Sequence, residues 1–111
     1  KIGYNIKFLL ESRLVEFLED ALGHPKVIIL YGSYRLGEDI STSDIDIAFE
    51  TKENCNLVPV KVDGIERYER RFGRIGRKIQ IMKFNRNKVD INVFNNIANG
   101  FVLSGFLEVK P

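Results

Sequence analysis

The chain has 111 residues, 44% of them hydrophobic and 29% charged, with a formal net charge of +2. That length is one domain, 1–111, able to bury a core of its own, and the balance is that of an ordinary globular protein. The longest uninterrupted apolar run, Val27 to Tyr31, is far short of a membrane span.

In chain order, Ile6, Leu10, Leu14, Phe17 and Ala21 recur at helical spacing and predict a helix over 4–22, stopped by Gly23 and Pro25. Val27–Tyr31 reads as a buried strand. Gly32 to about Gly37 is a turn into a short helix, and 38–43 is polar and loop-like. Asp44–Glu50 is a second strand, with Asp44 and Asp46 on one face and Ile45 and Ile47 on the other. A loop over 51–56 precedes the stretch 57–72, where Asp63 is placed to cap a helix through Phe72 with Glu66 at the capping-box position. Lys78–Phe84 alternates as a strand, and Lys88–Phe94 is expected as its hairpin partner across the Asn85-Arg86-Asn87 turn. A short helix over 95–103 and a last strand over 106–109 complete an α+β order, a mixed sheet flanked by helices.

Cys55 and His24 are single residues of their types, which rules out zinc sites built on such ligands and fits a reducing, cytoplasmic setting. No pattern of a secretory signal is present. Charge is unevenly spread: −4 over 1–60, +7 over 61–88 and −1 over 89–111. The basic segment, from Arg67 to Lys88, is either a solvated face or a surface for a polyanion such as triphosphate or RNA.

The chemistry concentrates in four places. Residues i and i+2 of a strand point the same way, about 6.6–6.8 Å apart at Cα, so Asp44 and Asp46 could share divalent cations. Bare, two such charges repel by about 4 kcal/mol at ~4 Å and an effective dielectric of 20. Mg²⁺ removes that repulsion and accepts carboxylates together with substrate phosphate. Two ions roughly 3.5–4 Å apart suit in-line displacement at phosphorus. Asp90, on a strand-like run, is expected as the third carboxylate and the base for an attacking hydroxyl, provided its strand is a neighbour. Gly32-Ser33 closes a strand before a helix start, where free N–H groups favour phosphate; Ser33 adds a hydroxyl, and Arg35 could neutralise phosphate oxygens.

Gly-Ser, ten residues, then Asp-x-Asp resembles the signature of the DNA polymerase beta-like nucleotidyltransferase superfamily. The small size and Asp90 resemble its minimal nucleotidyltransferase (MNT) branch. The resemblance implies a nucleotidyltransferase fold over nearly the whole chain. Gly32 and Ser33 would bind the triphosphate, and Asp44, Asp46 and Asp90 would bind metal. Such domains are often encoded beside a small all-helical HEPN protein, commonly an RNase toxin. Some act as antitoxins that transfer AMP from ATP to a tyrosine of the toxin. The resemblance thus implies Mg²⁺, ATP and a helical protein partner, with self-association left open. The family turn often reads Gly-Ser-Arg-x-Arg-Gly; here it is Gly32-Ser33-Tyr34-Arg35-Leu36-Gly37, with Arg35 shifted by one. Two alternatives stand beside the protein-directed enzyme: transfer to RNA or a small molecule guided by the basic segment, or a nucleotide-binding module that neutralises a partner by contact.

Overall fold

The computed structural model describes residues 7, 9–31, 45–70 and 78–107. Its centre is a five-stranded mixed sheet in the order β3-β4-β2-β1-β5. The strands are β1 (Val27–Tyr31), β2 (Ile45–Glu50), β3 (Val58–Pro59), β4 (Ile79–Phe84) and β5 (Phe101–Gly105). β1 lies antiparallel to both β2 and β5. β2 and β4 run parallel, and β3 adds to β4 antiparallel. Pro59 sits on the outer strand, where its missing N–H interrupts no ladder.

Every residue of β1 is buried, which explains its unbroken apolar run. Ile28 and Leu30 join Ile45, Ile47, Phe49, Ile79 and Ile81 on one face, under Leu14, Val15 and Leu18 of helix α1 (Leu14–Ala21) and Tyr68 of the short helix α2 (Glu66–Glu69). Val27, Ile29 and Tyr31 join Ala48 and Phe84 on the other, under Phe94 and Ile97 of helix α3 (Ile91–Ala98).

Five expectations are corrected. The helix over 4–22 is interrupted at Ser12–Arg13: Arg13 has φ 66°. The buried Ser12 hydroxyl donates to the Leu9 carbonyl and accepts from the Leu14 N–H, so it closes one turn and opens the next. Asp63 does not cap α2, which starts after Ile65 without a side-chain cap. The stretch 88–94 is not a hairpin strand: α3 begins at Ile91, and Val93, Phe94, Ile97 and Ala98 pack inward at helical spacing. The helix expected over 95–103 ends at Ala98, and Phe101–Gly105 forms β5 along the open side of β1; of the strand expected over 106–109, Phe106 and Leu107 are not in a strand and 108–109 lie outside the described residues.

Candidate active site

The segment 32–44 joins the end of β1 to the start of β2, and with it Gly32, Ser33, Arg35 and Asp44 lie outside the described residues. What flanks that segment is well defined. Tyr31 closes β1 and pairs directly with Asp46 of β2. On its other side Asp46 pairs with Gln80 of β4. Directly opposed residues share a sheet face, so Tyr31, Asp46 and Gln80 form one row across three adjacent strands. Along each strand the face turns polar at this row. Further from it lie Val27 and Ile29 on β1, Ala48 on β2 and Phe84 on β4, all buried.

The expected alternation on β2 is present. Ile45 and Ile47 bury in the core under α1, which leaves Asp46 half-buried on the face that carries Ala48. Tyr31 is buried, and its hydroxyl pKa is pushed up to about 12, first by burial and then by the negative charge of Asp46. At neutral pH that hydroxyl is a proton donor beside a carboxylate. Sequence reasoning missed both Tyr31 and Gln80. The parity of β1 from Ile29 already places Tyr31 on this face. Gln80 lies between Ile79 and Ile81, but which strand lies beside β2 is not written in either strand alone.

Asp90 is elsewhere. It is the N-cap of α3, and its carboxylate accepts from the Asn92 N–H at 2.8 Å. The strand parallel to β2 is β4, which pairs with Asp46 near its first residue and ends at Phe84. Asp90 follows that end, past a turn in which Lys88 and Val89 N–H groups bond to the Asn85 carbonyl. Four residue rises from Gln80 to Phe84 cover about 13 Å, so Asp90 enters at the opposite end of β4 from Asp46. Among the described residues no group of three His, Cys, Asp or Glu side chains is placed to hold a metal ion. The row offers a carboxylate, a carboxamide oxygen and a phenol oxygen, hard donors of the kind Mg²⁺ takes.

A further carboxylate serves the same end of the sheet structurally. Glu69 Oε2 accepts from the Ile79 N–H at 2.6 Å, and so ties α2 to the start of β4. That contact brings the neighbouring Arg70, with the exposed Lys78 next to Ile79, to the end of β4 that Gln80 occupies. The rest of the basic segment is not one face. Arg67 stacks over the Phe17 and Tyr68 rings. Lys83 pairs with Glu53 at 2.8 Å, and Arg86 with Glu50 at 2.7 Å. These pairs lie toward the other end of the sheet, beside a cleft of about 500 Å³ lined by His24, Lys26, Glu50, Lys52 and Lys83. Arg71, Arg74 and Arg77 lie outside the described residues.

A mixed sheet of this order, with helices on both faces and an acid at the first turn of its second strand, defines a nucleotidyltransferase-type α+β domain. Residues 12–104 match the family model described as polymerase beta, nucleotidyltransferase, and the chain belongs to that family. No curated protein and no solved structure matches the chain. Nucleotidyl transfer is the activity the family defines. Among the described residues no helix is long and apolar enough to cross a membrane.

Proposed function

We propose that this domain transfers a nucleotide, AMP by preference, from a nucleoside triphosphate to a hydroxyl of a protein partner, as the antitoxin of a HEPN/MNT pair. The observation that carries the reading is the pairing of Tyr31 with Asp46. The strand that runs directly into Gly32-Ser33 and the strand that carries Asp46 are neighbours, in the order a triphosphate turn and a metal-binding carboxylate require. Asp44 and Asp46 would hold Mg²⁺, which when bound neutralises phosphate charge and aligns an in-line displacement. Gly32 and Ser33 offer backbone N–H groups and a hydroxyl to the phosphates, and Arg35 a cation. The acceptor oxygen bonds to the α-phosphorus, pyrophosphate leaves, and the hydroxyl proton passes to a carboxylate. In a domain this small, the partner supplies the surface that presents the hydroxyl.

One observation favours the contact-only alternative. With Asp90 capping α3, Asp46 is the only carboxylate among the described residues of the row. Labelled ATP, Mg²⁺ and a co-encoded helical partner separate the two. The enzyme leaves label on the partner, and Asp46→Asn abolishes it while the circular dichroism spectrum stays that of wild type. Wild-type labelling by Asp46→Asn at physiological Mg²⁺ would sink the transferase reading. A stable complex that never acquires label would establish the contact-only one.

A further inference from the structure

The residue opposite Asp46 on the neighbouring strand is Gln80, and not the Asp90 that the sequence suggested. β4 is the strand that lies next to β2 on the side away from β1, and the register sets Gln80 opposite Asp46. Strands in a sheet are about 4.8 Å apart, and a glutamine side chain is one methylene longer than aspartate, so its carboxamide is long enough to reach a cation held at Asp46. Gln80 is half-buried on a face that elsewhere carries Ala48 and Phe84. The polar residues beside it in the row are Asp46 and, one strand further, Tyr31.

A carboxamide oxygen is an acceptor with no charge. It can complete the oxygen shell of a divalent cation, yet it adds nothing to the electrostatic attraction that draws a bare cation in. Affinity of oxygen sites follows the number of charged ligands. We propose that Gln80 is an uncharged oxygen donor beside Asp46, and that its neutrality makes cation binding depend on the phosphates of the nucleotide. The cation would then enter with the triphosphate rather than reside in the empty site. This deepens the proposed function and rests on its reading of Asp46 as a metal ligand.

The test uses Mn²⁺ as the probe, with free ion followed by electron paramagnetic resonance, with and without a non-hydrolysable ATP analogue. Wild type should bind Mn²⁺ weakly alone and firmly with the analogue. Gln80→Glu should raise nucleotide-free Mn²⁺ affinity by about tenfold or more, because it adds a charge one strand spacing from Asp46. Gln80→Leu removes the donor at similar volume and should weaken analogue-dependent binding. Asp90→Asn should change neither. If both Gln80 variants bind Mn²⁺ as wild type does, or if Asp90→Asn loses as much as Asp46→Asn, the assignment of Gln80 is overturned. Unchanged Mn²⁺ binding in Asp46→Asn would instead remove the ligand reading on which the proposal rests. Should Gln80→Glu fail to fold, Gln80→Leu and Asp90→Asn still decide between the two positions.

Discussion

Tyr31 shows how one residue ties stability to the candidate site. Its hydroxyl ordinarily ionises near 10, and in the fold at about 12. Between those values the folded chain holds a proton that the unfolded chain has lost. The stabilisation is complete below pH 10 and disappears as pH rises through the folded value. Its size is on the order of 2 kcal/mol. Tyr31→Phe should therefore unfold less steeply than wild type between pH 10 and 12, as read from urea midpoints across that range. Equal slopes would mean that neither burial nor Asp46 raises the hydroxyl's pKa in the fold. Asp90 is the opposite case, a carboxylate whose described work is structural. An aspartate N-cap contributes about 1 kcal/mol to its helix. The alternation of Val89, Ile91 and Val93 reads as a strand, yet Val93, Phe94, Ile97 and Ala98 lie on one helical stripe and Ile91 ends half exposed. The missed signal was the aspartate itself, a preferred cap directly before an apolar helical spacing.

At the scale of elements, strands buried on both faces announced themselves and helix limits did not. β1 and β2 follow from apolar content and alternation. The break at Ser12 was hidden because Leu10, Leu14 and Phe17 keep a helical spacing across it, while the side-chain bonds that divide the two turns leave no mark on hydropathy. The corner between α3 and β5 is set by a close approach. A Cβ on Gly100 would stand 2.5 Å from the Leu30 carbonyl oxygen and 2.7 Å from Ile29 Cγ2. Gly100→Ala should lower the urea midpoint with an unchanged m-value, at a cost of about 1–3 kcal/mol for overpacking. A neutral effect would show that α3 can retreat from β1. On the far side the Arg86–Glu50 pair, with Arg86 over the Phe94 ring, fastens the same helix to the end of β2.

For the whole molecule, the sequence order predicted a mixed sheet between helices, and that is what forms. It did not reveal which strands meet, and the assignment of the third carboxylate turned on that. β4 reaches β2 by a parallel crossover through α2, so the residue beside Asp46 comes from Gln80 rather than from the later Asp90. The charge map is likewise rearranged by folding. Lys83 and Arg86 are spent on Glu53 and Glu50, while Arg70 and Lys78 stay exposed at the end where β2 begins.

The position of β1 also dictates when this chain can fold during its own synthesis. β1 needs β2 on one side and β5 on the other, and Val27 pairs with Gly105, 78 residues later. Until that last strand has emerged, the most apolar strand of the protein has an open edge, the form in which strands recruit one another. Contacts of such separation are slow to close. A nascent chain should accordingly stay protease-sensitive and prone to aggregate until β5 has emerged, and then become resistant in one step. Chains arrested after Asn99 and after Leu107, probed by limited proteolysis while still on the ribosome and extended by the same inert linker, should differ in this way. Equal protection of the two would show that β1 is secured by β2 and the helices alone.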